Sequence, residues 1–410
     1  MNKKLLFLVT EDWYFLSHRL PLALECKKKG YEIYIGCKDT GQMDVIKNYG
    51  FNCYNLKLYR GYSSIYKIFV NILEIRKMIR ITNVSIIHAV SVQSIVLTLL
   101  STLFNKKVKL IAALTGLGSL FLAKSVKDKV IKFFIMIVLV LGLKKKYLKV
   151  IVQNKDDEKF VNKNLFCSKN KIAIIRGSGV NIDFHKFQSE PSYPPITISY
   201  VGRLIKDKGI EQLIEAFKLA VKSNKNIKLL LAGSFDSKNP RPISKKYIEN
   251  SIKNENNIEY VGEIKDVREI WRISHIAILL SKREGLPKSL LEAAAAGRAI
   301  ISTDVPGSRE IAVNSINAET VQLDDINGLT KAILYLAKNH KVRKKYGLKS
   351  RKLVESDMSE DQVIRNTLSL YKSFNRVGLT FLNHIFVDDF NFYSKQTTAL
   401  VDFEDKNYSN

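Results

Sequence analysis

The sequence predicts an α/β protein of two domains, each built on a parallel sheet covered by helices. Short apolar runs without polar alternation recur along the chain, and segments with helical periodicity separate them. Strands buried on both faces have this pattern, and alternation of strand and helix is typical of parallel sheets. The chain has 410 residues, which is more than one hydrophobic core usually organises.

In the first half, strand and helix alternate regularly. Ligands of such sheets bind beyond the carboxyl ends of the strands. We therefore expect binding residues at Thr10–Trp13, after His88 and at Thr115–Gly118. The predicted elements are strands at Lys4–Val9, Tyr31–Cys37, Val84–Val90, Val108–Leu114 and from Val150, with helices at Trp13–Lys29, Tyr62–Ile81 and Val92–Phe104.

The second half begins after a stretch with three prolines, QSEPSYPPIT (Gln188–Thr197), which predicts a stiff linker. Alternation then resumes, and amphipathic helices are predicted from Lys331 to Phe374. The tail from Asn375 to Asn410 is acidic and has no predicted structure. The predicted strands are ITISYV from Ile196, Lys228–Ser234, Asn257–Ile264, His275–Ser281 and a buried strand after Gly297.

Composition excludes several classes of protein. Hydrophobic residues make up 46% of the chain and charged residues 26%, as in globular rather than disordered proteins. The four cysteines lie in no metal-binding or redox spacing. The apolar run at the N-terminus is too short for a signal peptide. We therefore expect a cytoplasmic protein.

The net charge of +27 is unevenly distributed, because residues 1–190 hold 32 basic and 13 acidic residues. Between Ser101 and Val150 the sequence has eleven lysines and a single acidic residue, Asp128. Such a charge is compatible with binding to nucleic acid or to an anionic membrane surface. No segment resembles a nucleic-acid recognition module.

One apolar run, Phe133–Leu143, is bounded by lysines at both ends. It has eleven residues, whereas a membrane-spanning helix needs about 20. One interpretation is a core helix with a solvated end. The other is a helix that lies in the headgroup region of a membrane, and the clustered charge favours it slightly. The flanking lysines are Lys127, Lys129, Lys132, Lys144, Lys145, Lys146 and Lys149.

The most informative stretch is SKREGLPKSLLEAAAAGRAIISTDVPGS, from Ser281 to Ser308. It predicts a strand end, a loop, a helix that starts at Pro287 and stops at Gly297, and a second strand. Glu284 then lies on the loop and Glu292 in the second helical turn. Backbone N–H groups at this helix start are expected to form an anion-binding site.

This stretch resembles the nucleotide-sugar motif of family 4 retaining glycosyltransferases. The resemblance covers roughly Lys3–Phe374 and implies the GT-B fold, in which two Rossmann-like domains with parallel sheets face each other across a cleft. The implied divisions are an acceptor domain at 1–187, a nucleotide-sugar domain at 188–357, a helix crossing back at 358–374 and an acidic tail at 375–410.

The resemblance implies a donor site in the second domain. The turn GRLIKDKG matches the family's diphosphate-binding loop, and two cations there would stabilise the charge that a departing nucleoside diphosphate gains. Glu284 would lie near the sugar and the diphosphate, and Glu292 would accept hydrogen bonds from the ribose. The implied donor residues are Gly202, Arg203, Lys208, Val261, Glu284, Gly285, Leu286, Pro287, Ser289, Leu290 and Glu292, of which Arg203, Lys208 and Glu284 are the catalytic candidates.

On the acceptor side, the loop TEDWYFLSHRLPLA resembles a subgroup with Ser-His-Arg-Leu-Pro in its first helix. One interpretation is that His18 and Arg19 are ordinary helix residues near a proline kink, and the other is that Glu11–Trp13 line the acceptor side of the cleft. The candidate acceptor-side residues are Glu11, Asp12, Trp13, His88, Thr115 and Gly116.

The function implied is transfer of a hexose or N-acetylhexosamine from a nucleotide sugar, with UDP as the expected nucleotide. The acceptor is expected to be a glycan, polyprenyl-diphosphate-linked or soluble, in bacterial surface-glycan assembly at the inner face of the plasma membrane. No cofactor and no metal are expected, and no nucleic-acid partner. Two alternatives stay open, a sugar-nucleotide 2-epimerase of the same fold and a basic nucleic-acid binder.

Overall fold

The computed structural model describes residues 3–58, 65–105, 107–117, 126–192, 194–237, 239 and 241–374. The strands named below form two parallel sheets, one of seven strands in the first half and one of six in the second. The α/β fold class predicted from the sequence is thereby confirmed. The acidic tail lies outside the described residues.

The first sheet has the strand order β3-β2-β1-β4-β5-β6-β7, and every neighbouring pair is parallel. Its central strands are buried on both faces, which explains their unbroken apolar sequences. The elements are β1 (Lys3–Glu11), α1 (Asp12–His18), α2 (Leu20–Lys28), β2 (Tyr31–Lys38), α3 (Met43–Asn48), β3 (Asn52–Asn55), α4 (Ile65–Thr82), β4 (Ile86–Val90), α5 (Val92–Ser101), β5 (Lys109–Leu114), α6 (Val126–Gly142), β6 (Leu148–Val152), α7 (Lys155–Asn164) and β7 (Ile172–Ile174).

The second sheet has the order β10-β9-β8-β11-β12-β13, again parallel throughout. Strands β8 and β11 are neighbours at its centre, so the loops that follow them meet. The elements are β8 (Ile196–Val201), α8 (Ile210–Ser223), β9 (Ile227–Ala232), α9 (Lys245–Ile252), β10 (Ile258–Gly262), α10 (Val267–Ile273), β11 (Ile276–Leu279), α11 (Lys288–Ala295), β12 (Ala299–Thr303), β13 (Ala318–Val321), α12 (Ile326–Lys338), α13 (His340–Asp357) and α14 (Glu360–Ser373).

Three local predictions differ from the structure. The helix predicted over Trp13–Lys29 is interrupted at Arg19, two residues before Pro21, which has no N–H to donate to the carbonyl of Ser17. Helix α3 and strand β3 were not predicted, because each is too short for its periodicity to stand out. Helix α11 begins at Lys288, with Pro287 as its N-cap rather than its first residue. The stop at Gly297 is confirmed, since its φ is +76°.

Two buried arginines hold the chain that connects the sheets. Arg298 is fully buried and donates hydrogen bonds to the carbonyls of Gln188 and Ser189 at 3.1 and 3.2 Å. The Arg343 guanidinium pairs with the carboxylate of Glu190 at 3.0 Å. The connection is therefore held by two arginine side chains of the second half of the chain.

Candidate active site

The predicted donor residues gather at the carboxyl end of the second sheet. The loop after β8 carries Arg203 and a 3-10 turn at Lys206–Lys208, and the loop after β11 carries Glu284. Because β8 and β11 are adjacent and parallel, the two loops lie side by side. Residues 76 positions apart in the sequence thus come into contact.

An ion pair between Lys208 and Glu284 lies at the centre of this cluster. The Lys208 ammonium contacts Glu284 Oε1, and Ser281 Oγ donates to the same oxygen at 2.5 Å. Both charged side chains are largely shielded from solvent. Gly209 places Lys208 there, because its φ is +69° and a Cβ on it would lie 2.6 Å from the Leu280 carbonyl oxygen. Glycine at position 209 is therefore a geometric requirement of this turn.

Arg203 lies at the rim of the same loop, and its side chain is 46% exposed. Its Nη1 pairs with Asp236 Oδ2 at 2.8 Å, and Tyr200 Oη donates to its carbonyl at 2.7 Å. Asp236 follows β9, and sequence reasoning missed it because nothing nearby marks it as a partner. The two cations therefore differ, since Lys208 is shielded whereas Arg203 reaches into solvent.

The loops after β9 and β10 approach the same edge. A Cβ on Gly233 would lie 1.8 Å from the Gly202 carbonyl oxygen, so only glycine fits there. The Gly233 amide donates to the carbonyl of Gly262 at 2.7 Å. Val261, the residue predicted to lie against the nucleobase, is half-buried at the end of β10.

Glu292 is buried in the second turn of α11, as its position in the motif predicts. Burial raises the pKa of this carboxyl to about 7, although the nearby Lys288 ammonium, at 3.8 Å, opposes the rise. His185 Nε2 lies 4.0 Å from Glu292 Oε1. Burial, together with Lys288, lowers the pKa of His185 to about 4, so this imidazole is neutral at pH 7. Sequence reasoning missed His185, which has no motif around it.

The other motif residues differ in what they can offer to a ligand. Leu290 is 1% exposed and belongs to the core of the second domain, so only its backbone is available. Leu286 is half-buried and packs against the position of Gly177. Ser289 is half-buried in the first turn of α11.

The loop carrying Gly285 also contacts the first domain. Asn154 Nδ2 donates to the Gly285 carbonyl at 2.9 Å, and a Cβ on Gly285 would lie 2.3 Å from the Thr115 carbonyl oxygen and 2.2 Å from Gln153 Oε1. The structure thus brings the acceptor-side candidates Thr115 and Gly116 next to the donor loop. The absence of a side chain at Gly285 is what permits this approach.

Charged pairs on either side strengthen this contact. Arg283 Nη2 lies 2.8 Å from Asp157 Oδ1, and Asp157 is buried at the start of α7. Arg176 pairs with Glu310, which also accepts a hydrogen bond from the Lys155 amide at 3.1 Å. These partners lie far apart in sequence, so sequence reasoning did not identify them.

The acceptor-side residues of the first loop have distinct surroundings. Trp13 is 39% exposed, and its Nε1 donates to Glu11 Oε2 at 2.8 Å. Asp12 is fully buried and accepts hydrogen bonds from Thr40 and Gln42. Burial raises the pKa of Asp12, but hydrogen bonds from these residues and from the Trp13 amide outweigh it, and the net pKa is lowered. Asp12 therefore orders the Thr40–Gln42 loop as a carboxylate.

His88 lies inside β4, within the strand predicted over Val84–Val90. It is 2% exposed and stacks on Phe7, with ring centroids 5.4 Å apart. Burial lowers its pKa well below the ordinary value, and the nearby Arg19 charge adds to this effect. His88 is thus a neutral, internal residue that reaches ligands only through a pocket beside the strand.

Two protein-family models match the chain. Residues 4–154 match "Glycosyl transferase 4-like", and residues 181–353 match "Glycosyl transferases group 1". The capsular polysaccharide biosynthesis glycosyltransferase CapM of Staphylococcus aureus is 29% identical over 53% of this chain, a match that spans only 59% of CapM. The N,N'-diacetylbacillosaminyl-diphospho-undecaprenol alpha-1,3-N-acetylgalactosaminyltransferase of Campylobacter jejuni is 24% identical over 80% of this chain and 90% of its own length.

Among solved structures, that of HepE from Anabaena in complex with UDP superposes with a TM-score of 0.73. It is 13% identical and covers 90% of this chain and 100% of its own, so the likeness concerns the fold. Parallel sheets in both halves, the two family matches and this likeness agree with one another. The chain therefore belongs to the family 4 glycosyltransferases and has the GT-B fold.

Proposed function

We propose that this protein is a retaining glycosyltransferase that moves a hexose or N-acetylhexosamine from a UDP-sugar to a polyprenyl-diphosphate-linked glycan in bacterial surface-glycan assembly. The single observation that carries the donor half is the contact of Lys208 with Glu284 at the carboxyl end of the second sheet. The Campylobacter jejuni relative supports the acceptor half, since it is named as a transferase that acts on a diphospho-undecaprenol sugar.

The donor's diphosphate would lie between the Lys208 loop and the start of α11. Lys208 is shielded and therefore acts in a medium where its charge is screened less than in water. Arg203 is half-exposed, so its guanidinium can swing from Asp236 to a phosphate while it stays in contact with solvent. Two cations and the helix start would then stabilise the leaving diphosphate as its charge grows.

Glu292 would receive the ribose of the donor. Its carboxyl is buried, and within the described residues the Lys288 ammonium and the His185 imidazole lie 3.8 and 4.0 Å from Oε1. Ribose hydroxyls would supply hydrogen bonds to its ionised form. Glu284, next to Lys208, would lie closer to the sugar and diphosphate.

Transfer is expected to survive chelation. If Arg203 and Lys208 neutralise the diphosphate, the rate of sugar transfer in EDTA should equal the rate without it. A matched sample with added magnesium or manganese provides the control. Loss of activity in EDTA that either metal restores would contradict the cationic-loop assignment.

The first domain offers an apolar surface suited to a lipid-linked acceptor. Helix α6 buries Leu139 against the core while its opposite side is exposed. Exposed apolar residues at a spacing of three and four along one helix form a single face. Within the described residues, no helix has the length and apolar character needed to cross a membrane. The exposed side chains on α6 are Val130, Phe133, Phe134, Ile137 and Leu141, at 38 to 63% exposure.

The structure distinguishes among the lysines around this helix. Lys145 Nζ donates to the Thr102 carbonyl, and Lys149 Nζ to the Asn170 carbonyl at 2.9 Å, so both ammonium groups are used within the fold. Lys129, Lys144 and Lys146 are exposed. The turn after α5, where Phe104 is 86% exposed, joins the same area through the Lys145 bond to Thr102. We propose that this surface docks on an anionic membrane.

Binding to anionic vesicles should weaken with salt and with loss of the exposed lysines. The double substitution Lys144→Gln and Lys146→Gln is expected to lower the vesicle partition coefficient about 30-fold if each lysine contributes about 1 kcal/mol. The pair Lys222→Gln and Lys225→Gln removes the same charge from exposed positions of the second domain and should leave binding unchanged. Equal binding by parent and Lys144/Lys146 variant would refute docking by this surface.

A further inference from the structure

Arg19 is a buried cation for which the described residues supply no counter-ion. It interrupts the helical segment between α1 and α2 and is 5% exposed. Its Nη1 donates to the His18 carbonyl at 3.0 Å, and its Nε donates to no acceptor within the described residues. No carboxylate of that part of the chain forms an ion pair with it. Burial of an unpaired charge is unfavourable, so Arg19 is retained at a cost in stability.

Arg19 lines a narrow pocket that is partly open to solvent. The pocket lies beside strands β4, β5 and β6, and its walls combine a few polar groups with apolar side chains. His18, His88, Ser178 and Glu360 are among the polar lining residues, and Ile151 and Ile175 among the apolar ones.

The charged or ionisable side chains that line this pocket are Arg19, Glu360 and the two histidines. Burial lowers the pKa of His18 to about 3, and the charges of Arg19 and Lys288 add to the effect. His88 is likewise neutral. Neither imidazole in the pocket lining therefore adds a positive charge to that of the Arg19 guanidinium. Glu360 accepts a hydrogen bond from Asn181 Nδ2 at 3.3 Å, and burial raises its pKa.

The pocket also adjoins the donor loop. Lys288 Nζ donates to the Ser17 carbonyl at 3.0 Å and lies 3.8 Å from Glu292 Oε1. Gly177, another lining residue, has its Cβ position 3.3 Å from Leu286 Cδ2. A group bound at Arg19 would therefore lie on the first-domain side of the donor site.

We propose that this pocket is an anion-binding subsite for a phosphate of the acceptor's diphosphate, with Arg19 as the counter-ion and His18 and His88 as its polar walls. The inference rests on the proposed function, which supplies the diphosphate-linked acceptor. It gives Arg19 a binding role, whereas an arginine that merely stabilised the fold would have a carboxylate or several carbonyls as partners.

Stability separates the two roles. Arg19→Met should raise the Tm of the unliganded protein, because it removes a buried unpaired charge and keeps the side-chain volume. Arg298→Met is the matched control, since Arg298 is equally buried but donates to linker carbonyls, and its Tm should fall. If Arg19→Met also lowers the Tm, Arg19 is a structural residue and the subsite is refuted.

Binding is tested on the full-length protein by calorimetric titration with inorganic diphosphate while UDP is kept saturating. The parent should bind diphosphate in addition to UDP, and Arg19→Gln should weaken that binding at least about tenfold, as expected for a charge-assisted hydrogen bond. Arg19→Lys should retain part of the affinity, and UDP affinity should be the same in all three proteins.

The two ideas fail in different ways. If the parent binds no UDP, the proposed donor function fails. The dependence of diphosphate binding on Arg19 can then still be measured without UDP. If UDP binds but diphosphate does not, or binds equally to Arg19→Gln, the subsite is wrong and the donor function stands.

Discussion

Lys208→Ala is expected to lower kcat for sugar transfer by about 100-fold, the range seen when one donor to a developing charge is removed. Lys208 is shielded, contacts Glu284 and is held in place by the left-handed Gly209. The positive charge of Lys208 would stabilise the negative charge that develops on the leaving diphosphate. Initial rates at saturating donor measure the effect on kcat apart from binding.

The neighbouring Lys206→Ala is the control for this prediction. Lys206 lies in the same turn, is 47% exposed and pairs with Glu211 at 3.5 Å. Exposed pairs of this kind contribute little, so kcat should stay within about twofold of the parent. Equal losses for Lys206→Ala and Lys208→Ala would mean that the turn contributes only general positive charge. An unchanged Lys208→Ala enzyme would remove Lys208 from the mechanism.

Glu292→Gln should raise the KM for the donor by about 10-fold to 150-fold, which corresponds to about 1.5–3 kcal/mol for a hydrogen bond to a charged group. The parent's donor KM should also depend on pH. Because the pKa of Glu292 is about 7 in the unliganded protein, the carboxyl becomes protonated as the pH falls below 7. The KM of the parent should then rise toward that of Glu292→Gln, whose own KM should be flat in this range.

Glu292→Gln should weaken donor binding but should stabilise the unliganded protein at high pH. The folded-state pKa of Glu292, about 7, lies above the ordinary value of 4.5. Stability from the neutral form is therefore fully present below pH 4.5 and is lost as the pH rises through 7. At pH 8 the unliganded Glu292→Gln protein should be more stable than the parent, by up to about 3 kcal/mol.

Thermal unfolding at pH 5 and pH 8 measures this difference. The exposed Glu259, which pairs with Lys228, provides the control. Glu259→Gln should change neither the difference in Tm between pH 5 and pH 8 nor the KM for the donor. A Glu292→Gln protein that is less stable at pH 8 and has the parent's KM would show that Glu292 is a structural residue.

Much of the fold follows from patterns that the sequence displays directly. Strands buried on both faces lack alternation, and the helix stop at Gly297 and the Lys208–Gly209 turn need a left-handed glycine. These features depend on a residue and its near neighbours. The motif containing Glu284 and Glu292 is of the same kind, because the positions of both follow from one loop and one helix.

The rest depends on contacts between distant segments. Asp236 contacts Arg203 only because β9 lies beside β8. His185 lies close to Glu292, although more than one hundred residues separate them in the sequence. The break at Arg19 reflects both Pro21 and the pocket around the side chain. Likewise, nothing in the sequence distinguishes Lys144, Lys145 and Lys146. In the structure, only Lys145 among these three is seen to donate its ammonium to a backbone carbonyl, that of Thr102.

We propose that this chain transfers a sugar from a UDP-sugar to a lipid-linked acceptor. Radiolabelled sugar from a panel of UDP-sugars can be followed into the organic phase in the presence of polyprenyl-diphosphate-linked acceptor lipids. Label should appear in the lipid, should require both substrates and should be lost in Lys208→Ala. Donor consumed equally without lipid, with a 2-epimer as product, would instead establish the epimerase, and no consumption of any UDP-sugar would refute the proposed transfer.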